Sequence, residues 1–210
     1  MSGAHSVLPP SGAGAWKLCA LWVAMNQAYP QPDTPESLEG NAAHWVFAEM
    51  LAGRPVSEGM QAPNGVFITD EMIEGGELVV DTVRARMPVE RFGAPRVEEA
   101  VAIPSIHPQC WGTPDIWAFS AAPLVLEVVD YKFGHRFVDE YENDQGVAYI
   151  AGLVDVLAAK FGEGSGLFDQ RLKVNFTVIQ PRCFYKGSPV RTWSVMASDL
   201  RAHTNQLANA

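Results

Sequence analysis

Asp115, Asp130 and Lys132 are the residues in this chain whose types and spacing best suit chemistry. Asp115 enters an apolar stretch behind Gly112-Thr113-Pro114. Asp130-Tyr131-Lys132 closes a second stretch, very rich in Leu and Val, from Leu124 to Lys132. The four residues Ser120-Ala121-Ala122-Pro123 lie between two expected strands, Asp115 to Phe119 and Leu124 to Lys132, so a hairpin is the simplest connection. Pairing Phe119 with Leu124 sets Asp115 opposite Val128 and Thr113 opposite Asp130. Asp115, Asp130 and Lys132 then share one sheet face, with the two acids as diagonal neighbours roughly 7–8 Å apart. A slip of one residue would turn one strand over and destroy the arrangement. Two carboxylates so placed can converge on one divalent cation, and hard oxygen ligands suit Mg2+ or Mn2+. A neighbouring ammonium can orient a water or steady charge on a phosphate. The plainer alternative is a salt bridge at a strand end. Glu127 falls on the opposite face and is excluded.

These strands need elements around them. The period of the apolar residues predicts a helix from Ser11 to about Ala28, a second from Pro35 or Glu36 to Leu51 closed by Gly53, and a third from about Thr69 to Met87, weakened by Gly75-Gly76. Val97 to Ile103 reads as a strand. Asp139 to Phe161 reads as a long helix with Asp139 and Glu142 in capping-box spacing, followed by a Gly162–Gly166 loop. Strands over Leu172–Gln180 and Arg191–Met196 and a final helix from Ser198 complete the chain. Helices, strands, helix, strands, helix describe one α/β domain, residues 1–210, with a central mixed sheet flanked by helices. The N-terminal helices occupy 5–53 and the core 97–180.

On the 36–51 helix, Gly40, His44, Phe47, Ala48 and Leu51 form one stripe, which turns His44 inward, either as a hydrogen-bonded core residue or as a ligand. Glu39 lies about 140° away around that helix and is the alternative ligand. Gln145 and Tyr149, four apart, share a face near a helix N-terminus, where phosphate is favoured. Gln145 could bond a nucleotide or the attacking water, and Tyr149 could pack against sugar or base. Core packing is the alternative for Tyr149, and a surface amide for Gln145. Glu98 or Glu99, on the strand before the hairpin, could also face the site.

Asp115 with Asp130-Tyr131-Lys132, 14 residues lying between the two acids, resembles the PD-(D/E)XK nuclease signature. Glu39-Gly40-Asn41-Ala42-Ala43-His44 resembles the upstream helical motif of RecB-like nucleases, and Asp144-Gln145-Gly146-Val147-Ala148-Tyr149 the glutamine and tyrosine motif after the core strand. The opening, His5 through Ser11 to Trp16 and Cys19, is similar to phage and prophage RecB-like proteins. The resemblance covers most of residues 5 to 160. It implies a restriction-endonuclease-like core and phosphodiester hydrolysis that leaves a 5′-phosphate, most often in processing DNA ends for recombination or repair. It also implies Mg2+ or Mn2+ held by His44, Asp115, Asp130 and the Tyr131 backbone carbonyl. Lys132 and Gln145 would be catalytic, with Gln145 and Tyr149 on the substrate. A DNA exonuclease is the first expectation. A structure- or site-specific endonuclease and a non-catalytic DNA-binding protein on the same fold are the alternatives.

Composition bounds the rest. The 210 residues carry 48% hydrophobic and 19% charged residues, ordinary for a globular protein. Three separated cysteines argue against a disulfide framework, and the cysteine quartet of the family's iron–sulfur branches is missing, so no iron–sulfur cluster is expected. No apolar run suits a membrane span, and Met1–Ser6 lacks a basic export region, which suggests the cytoplasm, or the host cytoplasm for a phage protein. The net charge of −9 is unusual for a DNA binder. Positive charge is clustered in 84–96 and 169–191, and a ring-shaped homo-oligomer could focus it inward. The expected partners are DNA, such further copies, and a single-strand annealing or recombination protein.

Overall fold

The structure, a computed structural model, describes residues 6–161, 171–183 and 187–210. His5, the Gly162–Gly166 loop, Asp169 and Lys186 lie outside the described residues.

The elements follow in chain order. Short helices α1 (Ala13–Trp16) and α2 (Trp22–Ala28) precede the longer α3 (Pro35–Leu51) and α4 (Asp70–Arg86), then a single turn, α5 (Val89–Phe92). Strands β1 (Arg96–Val97), β2 (Val101–Ala102), β3 (Trp111–Gly112), β4 (Ile116–Ala121) and β5 (Leu124–Tyr131) lead to α6 (Asp144–Phe161). Strands β6 (Lys173–Ile179) and β7 (Val190–Met196) and helix α7 (Arg201–Ala208) finish the chain. Five strands form one mixed sheet in the order β1-β4-β5-β6-β7. Only the β5–β6 pair is parallel, and α6 makes the crossover that a parallel pair requires. The result is the α/β fold expected, a central mixed sheet flanked by helices.

Both faces of the sheet are covered. Leu126, Val128, Val174, Phe176 and Val178 pack against Val147, Ile150 and Leu153 of α6. Ile116, Ala118, Val129, Tyr131 and Ile179 on the other face pack against Ala43, Val46 and Phe47 of α3 and Met72, Val79 and Val83 of α4. Near-continuous burial along β5 follows from being sandwiched in this way.

Helices α3 and α4 match their expected bounds because their ends are chemically marked. Thr34 and Ser37 cap each other reciprocally, Gly53 takes a positive φ after α3, and the Thr69 hydroxyl accepts from the Met72 amide. Four expectations are corrected. The first helix is broken at residues 17–21, because Trp16 is buried and its indole N–H donates to the Pro9 carbonyl at 3.0 Å, which anchors the chain there. The strand expected over 97–103 divides: β1 pairs with β4, whereas β2 leaves to pair with β3, and Glu98 at the break has φ 48°. Helix α6 starts at Asp144, not Asp139. Asp139 instead accepts from the Tyr141 amide, Glu142 has φ 49°, and the Asn143 side chain caps the helix through the Gly146 amide. The hairpin loop has two residues, not four, since β4 continues through Ser120 and Ala121.

A candidate metal and phosphodiester site at the strand ends

The shorter loop shifts the pairing by two residues. Ile116 pairs with Val129, so Asp115, one step earlier, comes into register with Asp130 itself and not diagonal to it. A shift of two preserves the parity, and both carboxylates stay on the α6 face. Asp130 is buried on that face at 2% exposure, and the Asp115 side chain at 12%. Asp115 Oδ2 accepts the Tyr131 amide at 2.6 Å, which locks the hairpin mouth.

Lys132 Nζ donates to Asp130 Oδ1 at 3.0 Å and to Gln145 Oε1 at 3.1 Å, while Gln145 Nε2 donates to Asp130 Oδ1 at 3.2 Å. Gln145 occupies the first turn of α6, which explains its reach to the strand end. Burial works to lower the Lys132 pKa, but Asp130 and Asp115 outweigh it, so the ammonium persists well into alkaline pH.

His44 arrives from the other layer. Helix α3 lies on the face opposite α6, and the imidazole passes the strand end to meet the site. Its Nε2 is 3.0 Å from the Tyr131 carbonyl oxygen; Nδ1 is 3.4 Å from Asp115 Oδ1 and 3.8 Å from Glu98 Oε1. Burial favours the neutral ring, yet the Asp115 charge and Glu98 prevail and raise its pKa. Burial dominates at Asp115, pushing it up to about 6, with His44 and Lys132 opposing and Asp130 reinforcing.

Five groups from α3, the β1–β2 break, β4, β5 and α6 thus meet at one end of the sheet. Among the described residues, no three His, Cys, Asp or Glu donors are gathered closely enough to close around an ion as they stand. The donor chemistry nevertheless fits a hard divalent cation. Carboxylates and a backbone carbonyl are its usual ligands, whereas an imidazole more often serves softer divalent ions. His44 Nε2 and the Tyr131 carbonyl oxygen stand at hydrogen-bond distance, 3.0 Å, so both would have to turn towards an ion to hold it.

Other expected site residues fall elsewhere. Glu39 is not at the site: Arg182 binds it at 2.8 Å through two nitrogens and also holds Glu71. Glu99 pairs with Arg96 on the surface. Glu98 is therefore the carboxylate of the pair that reaches His44. Tyr149 is 6% exposed, under Pro10 and Gly112, where any Cβ on Gly112 would fall 2.7 Å from Pro10 Cδ and 2.9 Å from Tyr149 Cε1. Its hydroxyl lies 3.4 Å from Gln145 Nε2, so it props Gln145 and does not lie open to a sugar or base. Glu127 sits on the far face as expected, held by Arg86 at 3.1 Å and Asn175 at 2.6 Å.

Sequence reasoning missed Arg182. Its guanidinium lies 3.7 Å over the Phe133 ring while gripping α3 and α4, and a lone arginine beyond a strand gives no signal of such distant partners. Part of the positive charge in the basic stretches is already paired among the described residues. Arg86, Arg96, Arg182 and Arg191 are each engaged by a carboxylate. No described helix is long and apolar enough to cross a membrane.

One comparison with known families bears on the chain. A family model described as "Protein of unknown function (DUF2800)" matches residues 5–210, and the chain belongs to that family.

Proposed function

We propose that this family member is a divalent-metal-dependent DNA nuclease, acting as an exonuclease on DNA ends. The observation that carries this is the meeting of Asp115, Asp130, Lys132, Gln145 and His44 at one strand end, although they come from four separate elements. A structural salt bridge would need only one of the acids and the lysine.

Asp115, Asp130, His44 and the Tyr131 carbonyl would hold Mg2+ or Mn2+. Bound there, the ion would lower the pKa of a water and neutralise charge on the phosphate. Lys132 donates towards the attacking water and the non-bridging phosphate oxygens, where charge grows in the transition state. Gln145 fixes the ammonium through Oε1, and Tyr149 fixes Gln145. Glu98 faces Nδ1 of His44, an arrangement that would orient an imidazole whose other nitrogen held the metal. Hydrolysis leaves a 5′-phosphate, in keeping with the resemblance to RecB-like nucleases. DNA end processing in recombination or repair, in a bacterial or phage-infected cytoplasm, is the setting that goes with it.

Linear and covalently closed DNA incubated with Mg2+ or Mn2+, beside Lys132→Ala, test the proposal. Loss of linear DNA alone, slowed by about 10²–10³ in the variant, is the expected result. Nicking of the circle would replace the exonuclease with an endonuclease. No cleavage of either by the folded wild-type protein would sink the enzyme.

A further inference from the structure

The N-terminal arm carries an apolar face that no described residue covers. From Leu18 to Pro32 the chain has no charged residue, fifteen positions in a protein whose net charge is −9. Within this stretch α2 rests on the body through Trp22 and Val23, which pack against the core on the α6 side of the sheet. Its other side is bare. Leu18 is 81% exposed, Leu21 69%, Met25 57% and Tyr29 66%, and Ala24 and Ala28 among them are exposed as well. Leu21, Ala24, Met25 and Ala28 fall within about 100° of one another around the helix, so they form one stripe. A helix that is apolar on two sides belongs between two surfaces, and the body supplies only one.

The second surface that fits is another copy of this chain. At those exposures the four large side chains present about 600 Å², and two copies covering most of it would bury about 1,000 Å², where specific interfaces begin. A monomer rarely leaves so large an apolar patch in water. Charge points the same way. Two chains at −9 repel wherever their acidic surfaces meet, and an uncharged stretch is where they approach at least cost. A membrane surface fits less well. Helices that lie in a lipid interface carry Lys or Arg on their polar side, and α2 has neither; Lys17, at the root of the arm, is held by Asp144 at 2.7 Å.

We infer that the chain forms a two-fold dimer through α2. The two helices run antiparallel, Met25 of one copy against Met25 of the other and Leu21 against Tyr29, with Ala24 and Ala28 letting the backbones close. Lys17 ties the arm to Asp144 in the first turn of α6, the turn that carries Gln145, so the dimer joins two candidate sites through their anchored ends. Pairing through α2 is independent of the chemistry at Asp115 and Asp130.

Sedimentation equilibrium of the full chain, with reductant so that the exposed Cys19 cannot link copies, is the test. Wild type should pass from monomer to dimer between about 1 and 100 µM, the affinity of an interface near the lower size limit. Leu21→Glu with Met25→Glu should weaken the dimer more than about tenfold, since like charges then meet across the axis. Val89→Glu on α5, at a side chain also 64% exposed, adds charge elsewhere and should change little. Raising salt should tighten the wild-type dimer, because it screens the repulsion between acidic chains. Melting curves report whether each variant folds; should the glutamate pair fail, Leu18→Ser with Tyr29→Ser should still weaken the dimer several-fold. A wild type monomeric throughout, a dimer untouched by the α2 variants, an equal loss in Val89→Glu, a dimer that salt dissolves, or assembly beyond a dimer would each overturn the pairing. Monomeric protein that floats with phosphatidylcholine vesicles, and no longer does so in Leu21→Glu with Met25→Glu, would give the face to a lipid surface instead.

Discussion

Asp115 faces Asp130 one step outside the Ile116–Val129 pair, and the two carboxylates are buried together. Burial above all pushes Asp115 up to about 6, so folding favours its protonated form. The sign follows directly. Below the unfolded value near 4 the group is neutral in both states and costs nothing. As pH rises from about 4 to about 6 the ionised form is penalised only in the fold, and the ion-free protein loses stability, which it does not regain above pH 6. Asp115→Asn should therefore stabilise the ion-free protein at pH 7.5 by about 1–3 kcal/mol, have little effect at pH 4, and abolish DNA hydrolysis. Urea denaturation in EDTA at the two pH values checks this, and an asparagine variant no more stable than wild type at pH 7.5 would contradict it.

Lys132 competes with any cation for Asp130, since its ammonium lies about 3 Å from both carboxylate oxygens. Lys132→Ala should slow cleavage by about 10²–10³, the usual cost of one transition-state donor. It should leave Mn2+ affinity unchanged or raise it. His44→Ala should do the reverse at the first step, weakening Mn2+ binding while Lys132 stays in place. Calorimetric Mn2+ titration of the two variants separates the roles. Equal losses of metal affinity in both would refute the assignment.

The site was legible in the sequence through parity. Side chains alternate along a strand, so the faces of Asp115, Asp130 and Lys132 survived an error of two residues in register; Ser120-Ala121 resembled a turn, yet Ser120 is buried within the sheet. His44 was legible because the stripe on α3 turned it inward. Glu39 could be left only as the alternative ligand, because its fate is set by Arg182, 143 residues away, and no local spacing reports that. The break at Glu98 was hidden by the apolar residues on either side, Val97 and Val101, which read as one strand although they serve two sheets. Tyr149 was ambiguous on helical spacing alone, and only the close approach of Gly112 and Pro10 places it under cover.

Arg182 ties together the layer that presents His44. It binds Glu39 on α3 and Glu71 on α4 and stacks on Phe133, just past Lys132. The carboxylates are 35% and 51% exposed, so solvent screening discounts the ion pairs. Arg182→Ala should cost about 1–2 kcal/mol in urea denaturation, much of it from lost stacking. Arg182→Lys should recover little, because an ammonium cannot serve two carboxylates in a planar fork. Full recovery by lysine would show that charge alone matters there.

The Tyr131 carbonyl lies at the candidate site, while its ring is buried against α3 and α4 with a hydroxyl that has no hydrogen-bond partner among the described residues. Burial also raises its pKa, so the phenol stays neutral. Gly75 on α4 makes room for that hydroxyl: a Cβ there would collide with it and also lie 3.5 Å from Phe133. Gly75→Ala should therefore destabilise the protein by about 1–3 kcal/mol through overpacking, despite alanine's better helix propensity. Tyr131→Phe removes an unsatisfied polar group and should be neutral or stabilising by up to about 1 kcal/mol. In the double variant the methyl takes the space the hydroxyl vacates, and the propensity gain remains. The double variant should be more stable than Gly75→Ala by more than Tyr131→Phe gains alone, a coupling a double-mutant cycle measures. Cleavage should persist in Tyr131→Phe, because the proposed ligand is the backbone oxygen and not the ring. Simple additivity of the two substitutions would show that the ring and α4 do not meet as described.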